Sequence, residues 1–330
     1  GVARVNNQVI FIRNVIDGET VDAEIVEVKK NFFRAKLIKI LEKSAFRIIP
    51  PCPYFSNCAG CQYQHIEYNH QLELKRKQTA EILKHIAKLD ISPEAVIPSP
   101  KIYDYRRILK FHSLGGAVGF YAYDNKTLID VSNCLLGARK DKSQILSYEV
   151  LGKKFSVPIN SFFQTNRFLL GKMAETVIDF VKPEKDEVLF DCFSGVGFFS
   201  VFLAEKAAKV YGFEEGREAS GIAPLNASMN GINNFISIQG KAEKKLPKLI
   251  KEIIPDTIIL DPPRIGCHPE ILKLIGRHKI KKIIYVSCNP STLARDIVIL
   301  KDFGYKLEKI QPIDMFPQTS HIEVISKYGL

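Results

Sequence analysis

Four stretches of this 330-residue chain carry side chains that can do chemistry. In Tyr285-Val-Ser-Cys288-Asn-Pro-Ser-Thr, a thiol closes an apolar, β-branched run that starts at Ile283 and reads as a buried strand. The Asn-Pro step ends that strand, and Ser291 is expected to cap a helix beginning near Thr292. Cys288 then lies at the carboxyl end of a strand and the amino end of a helix, where a thiolate can act as a nucleophile. Taken alone, a buried structural cysteine explains it equally well. In Cys52-Pro-Tyr-Phe-Ser-Asn-Cys58-Ala-Gly-Cys61, three thiols spaced x5 and x2 in a Pro/Gly-rich loop indicate a metal site. Zinc completed by His65 fits the spacing, and so does an iron–sulfur cluster completed by Cys134. Gly195-Val-Gly197 follows a strand ending at Asp191, and Glu214 closes the next strand. Such glycines allow close approach of a ligand, and such an acid holds ribose hydroxyls. Phe198, Phe199 and Ser200 supply no third glycine, which favours S-adenosylmethionine, with no pyrophosphate to cradle, over a dinucleotide. Lastly, Phe316-Pro-Gln-Thr-Ser-His321-Ile-Glu323 alternates like a strand, with His321 and Glu323 on one face.

Composition limits what these groups serve. Lys and Arg number 47 against 36 Asp and Glu, a net charge of +11, which favours a polyanionic partner, nucleic acid before membrane. No apolar run approaches the length of a membrane span. No signal peptide is visible, although the sequence starts at Gly1 and upstream residues can be missing. A cytoplasmic protein, acting as a monomer, is expected. Three of the seven cysteines fall within ten residues, which in a leaderless chain points to metal more than to disulfides.

The elements that must position these groups fall into three domains. Residues 1–48 read as a small OB-type β-barrel, with strands at 9–12, 20–25 and 33–38 and a turn at Asp17-Gly18. Lys29, Lys30, Arg34, Lys36 and Lys39 near Phe32 and Phe33 suit RNA binding by such a barrel. Residues 49–154 form a central α+β domain holding the cysteine loop, a polar helix over 66–89 and strands near 110–112 and 119–123. Tyr103, Tyr105, Arg106 and Arg107 there offer a second RNA surface, or simply a solvated face. From 155 to 330 strands and helices alternate as in a parallel Rossmann-like sheet.

Together these residues resemble the RNA (uracil-5-)-methyltransferases, in particular the branch with a TRAM barrel and an iron–sulfur cluster that modifies 23S ribosomal RNA. The resemblance covers nearly the whole chain. It implies a class I S-adenosylmethionine-dependent methyltransferase fold behind an N-terminal TRAM domain, and a 4Fe-4S cluster on Cys52, Cys58, Cys61 and Cys134. Asn160-Ser-Phe-Phe-Gln164-Thr-Asn166 is similar to the family's cofactor-side motif. Gln164, Phe193, Gly195, Gly197, Glu214 and Asp261 are thereby expected to hold the cofactor. Cys288 matches the nucleophile that adds to carbon 6 of uracil, and Glu323 the base that later removes the carbon-5 proton. Asp261 and Arg264 are expected to line the site, orienting the base or stabilising the developing oxyanion. Two features depart from the pattern. Phe198 stands where some relatives place a cofactor-binding Asn, and the region from Lys101 to Leu151 is short for a ribosomal enzyme. The same chemistry on transfer RNA is the alternative, as are an idle RNA-binding protein and an iron–sulfur sensor.

Overall fold

The computed structural model describes residues 1–139 and 144–330. Its largest element is a seven-stranded sheet built from β1 (Val188–Cys192), β2 (Lys209–Glu214), β3 (Phe235–Gln239), β4 (Thr257–Leu260), β5 (Lys282–Ser287), β6 (Lys306–Ile313) and β7 (Glu323–Gly329). The spatial order is 3-2-1-4-5-7-6, with β7 antiparallel to both its neighbours. The first five strands pair in parallel, and the central β4 and β5 are almost wholly apolar and buried, as strands covered on both faces require. Chain order reverses between β1 and β4, so a crevice opens at their carboxyl ends.

Among the described residues, six helices cover the faces, α2 (Leu170–Val181), α3 (Phe198–Ala204), α4 (Arg217–Met229), α5 (Ala242–Leu249), α6 (Pro269–Arg277) and α7 (Pro290–Asp302); α1 (Tyr68–Ile82) precedes them in the central region. One core packs α2 and α3 against one face of the sheet, and a second packs α6 and α7 against the other. A hairpin of strands Ile145–Val150 and Lys153–Pro158 buries Leu146, Val150, Phe155 and Val157 in the first of these cores. The expected boundary at 154/155 falls inside that hairpin.

The N-terminal strands are Val2–Val5, Gln8–Ile12, Thr20–Val28 and Phe32–Glu42, longer than the short runs expected. They form a four-stranded sheet in which the fourth strand lies between the second and third. Few side chains there are fully buried; Ile12, Ile16 and Ala35 are.

The central region contributes α1 (Tyr68–Ile82), which continues as a wider turn over Leu83–Ala87 and stops at Lys88 in the left-handed region, φ 54°. Strands at Arg106–Leu109, His112–Leu114 and Ala117–Tyr121 replace those expected a few residues away, because Gly115 and Gly116, both at positive φ, make the turn. Helix α1 buries polar side chains, Gln71, Lys75 and Thr79, on one face. That face meets the segment between β6 and β7. There Lys75 Nζ donates to Asp314 Oδ1 at 2.6 Å, with neither side chain exposed, and Tyr68 donates to Asp314 Oδ2 at 3.0 Å. Among the described residues, no helix is long and apolar enough to cross a membrane.

Candidate active site

Each group arrives at the crevice on its own strand end. After β1 the chain turns sharply, with Phe193 at φ 68°, Gly195 at 55° and Gly197 at 83°. A side chain on Gly195 would meet no protein atom within 4 Å, so the turn leaves open space above it for a ligand. Phe193 has no such steric licence. A left-handed non-glycine residue costs about 1–3 kcal/mol, and such strain gathers at functional sites. Glu214, at the end of β2, accepts from the Gly195 amide at 2.9 Å and the Gly216 amide at 2.6 Å, so the acid and the turn hold each other. Asp191 lies beneath, fully buried; Ser200 donates to one oxygen at 2.6 Å and the other oxygen has no partner. Burial pushes its carboxyl up to about 7. Asp261 follows β4 and accepts from Gln164 Nε2 at 2.9 Å, which brings two distant candidates into one bond. Burial and the Asp191 carboxyl hold Asp261 above the usual carboxylate range. Phe198 is buried in an aromatic cluster with Phe155, Phe163 and Phe202, and belongs to the core.

Cys288 and Glu323 meet through strand register. Ser287, the last residue of β5, pairs with Val324 of β7, so Glu323 sits one step further along, beside Cys288. The pairing is pinned by polar groups: Ser326 Oγ donates to the Tyr285 carbonyl at 3.2 Å, and Tyr328 donates to Ser326 Oγ at 2.9 Å. Cys288 is half-buried and Glu323 is 3% exposed. Burial pushes the Cys288 thiol up to about 11, with Glu323 and Asp261 adding to the rise and Arg264 opposing it. Burial likewise pushes Glu323 well up, again with Asp261 adding and Arg264 opposing.

Two expectations are corrected here. The cap of α7 is Asn289, not Ser291. Its backbone is extended and its side chain accepts from the Ser291 amide at 3.1 Å, with Pro290 at the first helical position, where a missing N–H costs nothing. Residues 316–322 are not strand; β7 begins at Glu323, so His321 and Glu323 do not share a strand face. The loop is held instead by side-chain and backbone bonds to the central region, including Tyr105 to the Pro317 carbonyl at 3.0 Å. His321 still joins the site: Arg264 Nη2 lies 2.7 Å from its Nδ1. Burial, with Arg264 beside it, pushes His321 down to about 4, so the ring is neutral and accepts from the guanidinium. Arg264 is placed in turn by α7, since Asn289 Nδ2 and Thr292 Oγ1 donate to its carbonyl at 3.0 and 3.3 Å. The buried polar links from α1 to the 314–322 loop escaped sequence reading. Their only signal was the four-residue spacing of Gln71, Lys75 and Thr79.

Cys52, Cys58, Cys61 and Cys134 line one cavity of about 100 Å³, away from this crevice. Burial raises the Cys58, Cys61 and Cys134 thiols, Cys61 to about 12. Among the described residues, no group of three or more His, Cys, Asp or Glu is arranged to hold a metal ion. His65 is buried beside Phe55, with neither ring nitrogen hydrogen-bonded, and does not line the cavity.

Comparison with known proteins agrees with this architecture. The family model described as tRNA (uracil-5-)-methyltransferase matches residues 145–326, and the TRAM domain model matches residues 1–38. An uncharacterised RNA methyltransferase of Clostridium acetobutylicum is 31% identical, over 98% of this chain and 93% of its own length. One from Caldanaerobacter subterraneus is also 31% identical, over 99% and 94%. These alignments run over 427 and 425 positions, more than the 330 residues here, so the relatives carry segments without counterpart in this chain. The crystal structure of Pyrococcus abyssi tRNA (uracil-54, C5)-methyltransferase with S-adenosyl-L-homocysteine superposes with a TM-score of 0.77 over 99% of both chains, at 24% identity.

Proposed function

The chain belongs to the tRNA (uracil-5-)-methyltransferase family, S-adenosylmethionine-dependent enzymes that act on RNA, and from that premise we propose that Cys288 and Glu323 make 5-methyluridine through a covalent adduct. The observation that carries this reading is the register of β5 against β7, which sets a thiol and a buried carboxyl side by side at the carboxyl end of the sheet. Carbon 5 of uracil is too weak a nucleophile to take a methyl group unaided. Cys288 adds as the thiolate, its proton having gone to solvent; Sγ forms a bond to carbon 6, and the carbon 5–carbon 6 electron pair moves toward carbon 5 and the carbon-4 oxygen. S-adenosylmethionine, when bound, would supply an electrophilic methyl group for carbon 5, its sulfur–methyl bond breaking to leave S-adenosylhomocysteine. Glu323 then takes the carbon-5 proton, the ring double bond reforms, and the carbon 6–Sγ bond breaks to release thiolate. Arg264, which donates to neutral His321, is proposed to stabilise the enolate oxygen. A base stacked in a helix cannot reach Cys288, so the uridine enters flipped or from a loop.

The Gly195 turn, Glu214, Phe193, Gly197, Gln164 and Asp261 are the proposed cofactor contacts. The fit rests on the open space over Gly195 and on the unpartnered oxygen of buried Asp191. The cysteine cavity is proposed to hold a 4Fe-4S cluster on Cys52, Cys58, Cys61 and Cys134. Four thiols around one cavity, with His65 outside it, support an all-cysteine ligand set. Three domains are proposed, as expected at 1–48, 49–154 and 155–330, but with the second boundary moved ahead of residue 145 so that the whole hairpin over 145–158 belongs to the third.

We propose 23S ribosomal RNA as substrate, because the resemblance joins the TRAM domain and cysteine set to that branch. Transfer RNA is the second reading. It is supported by the full-length likeness in fold to a transfer RNA enzyme and by the shortness of the region from Lys101 to Leu151 for a ribosomal enzyme. Mapping 5-methyluridine in total RNA from cells with and without the gene decides between them. Loss of the mark at a 23S position supports the first reading, and loss only from transfer RNA overturns it.

A further inference from the structure

We infer that Gln71 of α1 is a positioning residue for the reaction, clasping the loop that carries His321 and leads into Glu323; this rests on the reading that Glu323 resolves the adduct. Gln71 is 1% exposed. A buried amide is tolerated only when its donors and acceptor are used. Here Nε2 donates toward the carbonyls of Tyr63 at 3.2 Å and Ile66 at 2.9 Å and toward Gln318 Oε1 at 3.1 Å. Oε1 accepts from the Gln318 amide at 3.2 Å. One side chain therefore joins the segment after the cysteines to the segment before the base.

Gln318 is the point of purchase. It is 2% exposed and sits at φ 69°, a conformation a non-glycine residue keeps only when its surroundings dictate it. Its carbonyl accepts from the amides of Gln62 and Tyr63, both at 3.0 Å, and Gln62 Oε1 accepts from the Ser320 amide at 3.3 Å. Gln62 directly follows Cys61. None of these bonds reaches Cys288, which hangs from β5; the clasp touches the addition step only through His321 and its bond to Arg264. Loosening it shifts the start of β7, and with it the carboxyl of Glu323, against a nucleophile that stays put. Proton removal and release of the thiolate then slow more than addition and methyl transfer, so methylated adduct accumulates.

The test is Gln71→Met, which keeps the length of the side chain and removes its hydrogen bonds. The full chain is given methyl-tritiated cofactor and unmodified transcripts of 23S ribosomal RNA and of transfer RNA, with Glu323→Gln in parallel. The variant is expected to bind cofactor as the wild type does and to build up denaturant-resistant, methyl-labelled RNA adduct. Product release should fall roughly a hundredfold, as for displacement of a reacting group by about 1 Å. Hydrogen exchange should show the amides of Gln62, Tyr63 and Gln318 opened. A wild-type ratio of adduct to product in Gln71→Met, alongside a stalled Glu323→Gln, overturns this inference and leaves the base assignment standing. Joint loss of cofactor binding and adduct overturns it too, by making Gln71 a residue of the fold. Normal turnover by Glu323→Gln defeats the base assignment and this inference with it.

Discussion

At the scale of single residues, the site is electrically unready. Burial and two carboxyls hold Cys288 as a thiol, with Arg264 alone among the named neighbours pulling the other way. A thiol at about 11 gains thiolate tenfold for each pH unit through the range below it. Alkylation of Cys288 by iodoacetamide in the absence of cofactor and RNA should therefore rise about tenfold per unit from pH 7 to 10. Peptide mass spectrometry resolves it from the other six cysteines, and a plateau below pH 9 would mean that the thiol is already activated. Removing the two catalytic groups should have different consequences. Cys288→Ala should lose both turnover and adduct, because carbon 5 is never activated. Glu323→Gln should stop at an adduct already carrying labelled methyl, visible on a denaturing gel; an unlabelled adduct would move the base elsewhere, with His321 next to be tested.

At the scale of elements, the buried pair between α1 and the β6–β7 segment fixes two parts of the molecule distant in sequence. Lys75→Met leaves the Asp314 carboxyl buried with only Tyr68 as donor, and should cost about 3–5 kcal/mol. Urea denaturation reads this as a lower midpoint at unchanged slope. Lys75→Met/Asp314→Asn should recover much of the loss, since Asn still accepts from Tyr68; no recovery would mean that packing, and not charge, sets the cost. Such elements were the hard part to read in advance. The parallel strands were legible because Ile283–Val286 and Thr257–Leu260 are unbroken apolar runs, and the cofactor turn because Gly195 and Gly197 punctuate it. The loop over 316–322 misled because Phe316, Ile322 and Val324 mimic strand alternation, whereas long-range bonds from Gln62, Gln71 and Tyr105 decide its path. Helix α1 hid its partner for the same reason: its buried face is polar, and hydropathy points the wrong way.

At the scale of the whole molecule, the crevice, the cysteine cavity and the N-terminal sheet are built from different residues. The net charge of +11 makes RNA association mainly a matter of counterion release. On the N-terminal sheet Lys30, Lys36 and Lys39 are exposed, and replacing all three by Ala should lower the slope of log affinity against log salt by about 2–3. Cofactor affinity should hold; if it falls instead, that sheet reaches the crevice.

The pairing of β5 with β7 has a consequence for how this protein can fail. Glu323, Val324, Ile325 and Ser326 are all buried, so both faces of β7 are covered there and burial alone does little to choose between neighbouring alignments. A slip of one residue would set Val324 or Ile322 beside Cys288 and still bury the same surface. The result would be a stable, well-packed, inert molecule, invisible to any assay of folding. The hydroxyl of Ser326, on the Tyr285 carbonyl and under Tyr328, is what tells the two alignments apart. Ser326→Ala should accordingly yield protein of near-normal melting temperature in which titration with labelled RNA finds only a fraction of the sites able to form product.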